Sequence, residues 1–130
     1  MEKTILSNLL NNEDYSRKVL PFLKPEYFKD RTEEILFKAI ANFTVKYNTI
    51  PTQESLLIDL DGDTTINETE MANCQQYFEP FEPKNEEWLI ENTENWCQEK
   101  AIYNAIMDSI SILDNRGGEK DKGSIPVLLS

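Results

Sequence analysis

With no histidine and only two cysteines, the candidate ion-binding residues of this 130-residue sequence are its carboxylates. Asp59, Asp61 and Asp63 occupy every second position, with Gly62 between the last two, and resemble the start of a calcium-binding loop. To complete the coordination of the ion, such a loop needs later ligands, including a bidentate Glu at the twelfth position, and we interpret the run as lacking them. We interpret the run as an ordinary turn and expect no metal ion there.

Nucleotide binding and catalysis are not indicated either. Gly118 and Gly123 have the glycine spacing of a phosphate-binding loop, but Ser124 occupies the position where lysine would contact the phosphates. Histidine is absent, and Cys74 and Cys97 have no metal-binding spacing. We therefore predict no catalytic residue, no cofactor-binding residue and no enzyme activity in this chain. The two cysteines are expected to be ordinary buried or half-buried thiols in a reducing cytoplasm, in preference to a disulfide.

The net charge of −11 is concentrated in one segment. Residues 51–100 contain thirteen Asp and Glu against Lys84 and Lys100, so this segment alone carries −11. An acidic surface repels phosphate, which predicts no direct nucleic-acid binding. No apolar stretch reaches the roughly 18 residues of a membrane-spanning helix, so we expect no membrane association. We interpret the charge as a solubilising surface in preference to a binding site for a basic partner.

The elements that must position any functional surface are helices, and the longest is predicted over residues 86–114. This stretch has no Gly or Pro, Asn85 is placed to cap its start, and Arg116 with Gly117 marks its end. Large apolar side chains recur one heptad apart on one face: Leu89, Trp96, Tyr103 and Ile110. At about 1.5 Å per residue the helix would be roughly 42 Å long, about two turns longer than its own domain can cover. We expect Trp96 to be in the core, beneath the third helix, and Trp88 to be partly exposed.

The distal half of this helix is the candidate interaction surface. From Ala101 onward apolar residues surround the helix, and a helix of this kind must be covered. Either the N-terminal part of this chain covers it, or another chain or a further segment does, and the helix length favours the second alternative. The predicted contact stripe consists of Tyr103, Ile106, Met107, Ile110 and Leu113. A turn at Gly117-Gly118 and the start of a second helix would bring back Val127, Leu128 and Leu129 alongside.

Five or six shorter helices are predicted before the long one, and no alternating strand pattern appears, so the fold class is all-α. Asp30, Thr52 and Asn67 are placed as N-caps, and the turn at residues 11–14 is placed to cap the second helix. Asp30 with Glu33 and Asn67 with Glu70 have the spacing of capping boxes. The predicted buried stripes are Tyr15, Val19, Phe22 and Leu23; then Ile35, Leu36, Ala39, Ile40, Phe43 and Tyr47; and then Leu56, Leu57 and Leu60. We assign residues 1–83 to a globular helical subdomain and 84–130 to the long helix, the glycine turn and the beginning of a hairpin, all within one domain.

Several segments together resemble a known family. They are EKTILSNLL, PEYFKDRTEEILFKAIANF, IPTQESLLIDL and EEWLIENTENWCQEKAIYNAI. In this order and spacing they are similar to the N-terminal domain of hexameric replicative DNA helicases of the DnaB type, and most similar to the form found in large tailed phages. The resemblance implies that a helical hairpin pairs neighbouring subunits in a dimer or hexamer. It also implies contacts with a primase and a helicase loader, in the host cytoplasm if the protein is phage-encoded.

The same resemblance implies that an ATPase domain, using ATP and magnesium, would follow residue 130. Two other classes stay open: a helicase-binding domain of a primase, and a small replisome adaptor protein. A primase would carry zinc and polymerase regions upstream, and an adaptor would carry neither these nor a motor. The opening Met-Glu-Lys favours a true N-terminus, and this favours the helicase over the primase.

Overall fold

The computed structural model describes residues 1–78 and 82–121, with side chains as far as residue 114. Within these residues the chain is helical and contains no β-strand, which confirms the all-α prediction. The α-helices are α1 (Glu2–Asn11), α2 (Glu13–Val19), α3 (Arg31–Tyr47), α4 (Gln53–Asp61), α5 (Glu68–Gln75) and α6 (Glu86–Asp121). Short 3-10 turns occupy Leu20–Phe22, Pro25–Tyr27 and Gln76–Phe78.

The chain divides into two compact units, the first from Met1 to Cys97 and the second beginning at Gln98. This division lies inside α6, whereas the subdomain boundary predicted from the sequence lies before that helix, between residues 83 and 84. The reason is that the first part of α6 contributes buried side chains to the core of the first unit, namely Leu89, Thr93, Trp96 and Cys97.

The predicted N-caps are confirmed, because each depends only on residues two or three positions apart. Asn12 accepts a hydrogen bond from the backbone of Tyr15, and Thr52 and Asn67 each complete a reciprocal capping box. The box predicted for Asp30 and Glu33 forms only in part. Asp30 caps α3, but the Glu33 carboxylate accepts a hydrogen bond from the hydroxyl of Tyr77 at 3.1 Å and so serves tertiary packing.

The core of the first unit contains most of the predicted stripes, with several corrections. Phe43 and Leu57 are only partly buried, and Phe37, which the predicted stripe of α3 does not include, is buried. Phe22 and Tyr47, both predicted to be buried, are about half exposed, at 51% and 54%. Phe22 belongs to the 3-10 turn around Pro21, whose tighter winding rotates its side chain off the stripe that buries Tyr15 and Val19. Tyr47 is the last residue of α3, directly before Asn48, whose left-handed backbone (φ 56°) ends the helix.

The end of α6 also differs from the prediction. Gly117 and Gly118 lie inside the helix, which continues to Asp121, so the turn predicted at these glycines is not present. A glycine in a helix interior costs only about 1 kcal/mol relative to alanine, and the charged residues that follow are good helix formers. The predicted second hairpin helix, including Val127, Leu128 and Leu129, lies outside the described residues. No helix in the described part of the chain combines the length and apolar character needed to cross a membrane.

Candidate protein interface

The first half of α6 is fixed in the core by a buried hydrogen-bond chain. The Thr93 hydroxyl donates to the carbonyl of Leu89 at 2.7 Å, so its one proton is already used. The Tyr15 hydroxyl therefore donates to Thr93 Oγ1, also at 2.7 Å, and joins α2 to α6 across 78 positions of sequence. Burial of the phenol raises the pKa of Tyr15 above its ordinary value, which keeps it a neutral donor.

Trp96 of α6 lies in the core, as predicted. It is 6% exposed, and its ring lies 5.1 Å from that of Phe28 and 6.1 Å, edge to face, from that of Tyr27. Its indole nitrogen donates to the Glu2 carboxylate at 2.8 Å. Trp96 was predicted to lie beneath the third helix, but the two rings it contacts belong to residues just before α3. Phe28 in turn stacks on Phe37 of α3. Trp88 is 47% exposed, which confirms the predicted difference between the two tryptophans.

Beyond Cys97 the apolar side chains of α6 are exposed. Every described residue of the predicted contact stripe is about half accessible: Tyr103 50%, Ile106 54%, Met107 44%, Ile110 46% and Leu113 51%. Ile102 and Ile112, which the stripe does not include, are exposed to a similar extent. The remaining predicted interface residues, Val127 and Leu128, lie outside the described part. Apolar surface on this scale marks an interaction site more often than a solvated surface.

The stripe occupies one side of the helix, because its members follow i, i+3, i+4 and i+7 spacing. At 100° per residue, Ile106, Met107 and Ile110 lie within about 60° of Tyr103 around the axis. Ala105 and Ile112 lie roughly on the opposite side. The helix therefore offers one dense apolar face, and the side that carries Ala105 and Ile112 is sparser in large apolar residues.

The aspartate run is not assembled as a metal site. Counted from Asp59, the twelfth position is Glu70, so the spacing does supply a late acidic residue, contrary to our interpretation of the run as lacking one. Glu70 instead accepts from the Asn67 backbone at 3.1 Å and pairs with Arg31 at 3.2 Å. Asp63 accepts from the backbone and hydroxyl of Thr65, which holds the pKa of its carboxyl below the ordinary value. No group of three or more acidic or cysteine side chains is placed to hold a metal ion in the described residues.

Tertiary contacts also shift the pKa of the Glu33 carboxyl. Partial burial raises the pKa of Glu33 above its ordinary value, although the hydrogen bond from Tyr77 acts in the opposite direction. The pKa of the Tyr77 hydroxyl is raised by its own burial and by the adjacent carboxylate. The pair joins α3 to the turn after α5 across 44 positions of sequence.

The two thiols should be unreactive in the folded protein. Both are free and buried, and burial raises the pKa of Cys74 and of Cys97 to about 11. Since the thiolate is the reactive form, labelling with Ellman's reagent at neutral pH should be at least about a hundredfold slower than in denaturant. Stopped-flow absorbance of native and denatured protein would measure the ratio. Rapid labelling of either thiol in the native state would contradict the buried placement.

The fold defines the class first: an all-α, multi-helix protein. The chain is similar to the DnaB-like replicative helicase of Enterobacteria phage T4, with 29% identity over 117 residues. The match covers 88% of this chain and 24% of the relative, so the chain spans about a quarter of the length of the protein it matches. The similarity supports a relationship to DnaB-like replicative helicases. No family model matches the chain.

Proposed function

We propose that this chain is an N-terminal assembly domain of a DnaB-like replicative helicase, and that subunits pair through the distal half of α6. The observation that carries the proposal is the similarity to a phage replicative helicase along 88% of the chain. The relative is a helicase, which favours this class over a primase module or a small adaptor. The arrangement of the chain supports a role in contact and not in chemistry.

The distal half of α6 supplies the surface for pairing. Tyr103, Ile106, Met107, Ile110 and Leu113 are exposed along one side of a continuous helix. Two copies of such a face would bury apolar area from water, at about 25 cal/mol per Å². The acidic residues of the described part from 101 to 114 are only Asp108 and Asp114, so charge repulsion between paired helices would be weak. We propose a second copy as the occupant of this face.

The test is the double substitution Ile106→Glu with Ile110→Glu. Because both side chains are exposed, the fold should survive, and far-ultraviolet circular dichroism and the melting temperature should stay near those of the unmodified chain. Self-association should be lost, since the interface would have to bury two carboxylates. For the unmodified chain we expect a dissociation constant on the order of 1 μM. Multi-angle light scattering across a concentration series measures self-association in both proteins.

Ala105→Glu with Ile112→Glu is the matched control. It adds the same two charges to the opposite side of the same helix and should leave the oligomer intact. Equal loss of the oligomer in both variants would argue against a defined face. If the Ile106/Ile110 variant unfolds, these two residues belong to the core of the chain. If the unmodified chain is still monomeric at about 1 mM, self-pairing is contradicted.

The other expected partners are part of the same proposal. By analogy with DnaB-type helicases, we propose contacts with a primase and a helicase loader. We assign ATP hydrolysis with magnesium, and DNA binding, to a motor domain that corresponds to the part of the phage helicase outside the match. The acidic segment 51–100 supports this division of work, because a surface carrying −11 opposes phosphate.

A further inference from the structure

Helix α4 has two apolar faces, and within the described residues only one of them is fully covered. Leu56 and Leu60 point into the core, at 0% and 3% exposure. Ile58 is 63% exposed, and Leu57 beside it is only partly buried. A nine-residue surface helix needs one buried face, so the second apolar face is not explained by the folding of this chain.

The second face belongs to a regular pattern shared with α5. On α4, the spacing i, i+3, i+4, i+7 connects Glu54, Leu57, Ile58 and Asp61, of which Leu57 is partly buried and the others are exposed. The same spacing on α5 connects Glu68, Met71, Ala72 and Gln75, of which Met71 is partly buried against the core and the others are exposed. A surface groove of about 660 Å³ lies between the two faces, with Leu57, Ile58 and Met71 among its lining residues. We call this the α4–α5 groove.

The rim of the α4–α5 groove is acidic. Glu54 and Asp61 line the groove itself, and Glu68 lines a smaller depression of about 270 Å³ that adjoins it at Met71. No Lys or Arg lines either cavity. Within the described residues these three carboxylates form no ion pair and no side-chain hydrogen bond. Their charge is thus uncompensated, in contrast to Glu34 and Glu70, which Arg31 bridges.

We propose that the α4–α5 groove docks a basic amphipathic helix of a partner protein. Helices of nine and eight residues are about 12–14 Å long, which matches two turns of a docked helix with apolar anchors at i, i+3 or i+4, and i+7. Met71 supplies an unbranched, adaptable floor, and the carboxylates select Lys or Arg beside the anchors. The assignment is independent of pairing through α6, because it concerns other helices and is measured by peptide binding.

The probe is a fluorescein-labelled peptide of about 15 residues, with leucines at i, i+3, i+4 and i+7 and lysines elsewhere. A scrambled peptide of the same composition lacks the apolar face. We expect saturable binding of the patterned peptide near 10–100 μM at about 150 mM salt, by fluorescence anisotropy, and at least tenfold weaker binding of the scrambled peptide. EDTA in the buffer keeps divalent cations from the carboxylates.

Two pairs of variants locate the binding. Ile58→Ser should weaken binding about tenfold, whereas Val45→Ser, at an 83% exposed position outside the groove, should leave it unchanged. Neutralising the rim with Glu54→Gln, Asp61→Asn and Glu68→Gln should also weaken binding about tenfold. The control triple Glu87→Gln, Glu91→Gln and Glu94→Gln makes the same change in net charge on α6 and should have little effect. Circular dichroism confirms that each variant folds.

Three outcomes would overturn the proposal. The patterned peptide could fail to bind below about 1 mM, or bind no better than the scrambled one. The control variants could weaken binding as much as the groove variants, which would mean a diffuse charge effect. Finally, Ile58→Ser could abolish self-association in sedimentation experiments, which would assign the groove to a second copy of this chain.

Discussion

Trp96→Ala is expected to lower the free energy of unfolding by about 3–5 kcal/mol, the largest single effect we foresee in this chain. The substitution removes a 6% exposed side chain and its ring contacts with Tyr27 and Phe28. It also removes the hydrogen bond from the indole nitrogen to Glu2, which joins α6 to α1 across 94 positions. Urea unfolding followed by far-ultraviolet circular dichroism would measure the loss.

The matched control is Trp88→Ala, the same truncation two turns earlier in α6. Because Trp88 is 47% exposed, the substitution should cost no more than about 1 kcal/mol. The two variants together separate burial from the general effect of removing an indole. A Trp96→Ala protein as stable as the Trp88→Ala protein would show that the register of α6 on the core is wrong.

Thr93→Val is expected to cost about 1–3 kcal/mol although it preserves the shape of the side chain. The Tyr15 hydroxyl, fully buried, donates to Thr93 Oγ1, and valine would leave that hydroxyl without an acceptor. Tyr15→Phe should cost less, about 0.5–1.5 kcal/mol, because Thr93 would still donate to the Leu89 carbonyl. Chemical denaturation of both variants gives the comparison.

The double variant sharpens this test. Once Tyr15 is phenylalanine, no buried hydroxyl remains to be orphaned, so adding Thr93→Val should cost little more. The two substitutions should therefore be strongly non-additive, as a double-mutant cycle would show. Additive losses would mean that the two hydroxyls do not depend on each other.

How much of the protein could be predicted follows from the range of the interactions involved. The N-caps at Asn12, Thr52 and Asn67 were predictable because a cap joins residues two or three apart. Glu33 was the exception, since a partner 44 positions away, Tyr77, took the carboxylate expected to complete its box. Sequence spacing cannot weigh a local hydrogen bond against a distant one.

The α4–α5 groove shows a similar limit at the candidate sites. The spacing of Glu54, Leu57, Ile58 and Asp61 is visible in the sequence, and it would have indicated a second apolar face on α4. The sequence does not show that Leu56 and Leu60 alone reach the core, nor that Met71 of α5 lines the same groove. Those facts depend on how α3, α4 and α5 pack.

The sequence by itself determined that this chain is all-α, where most of its helices begin, and that α6 carries large apolar residues at heptad spacing. Only the tertiary structure decided what that spacing means. Leu89 and Trp96 are buried, whereas Tyr103 and Ile110, on the same line of the same helix, are about half exposed. The physical reason is that periodicity fixes the direction of a side chain around its own helix. Burial depends on distant partners such as Tyr27 and Phe28, whose rings contact Trp96 and which the spacing within α6 does not identify.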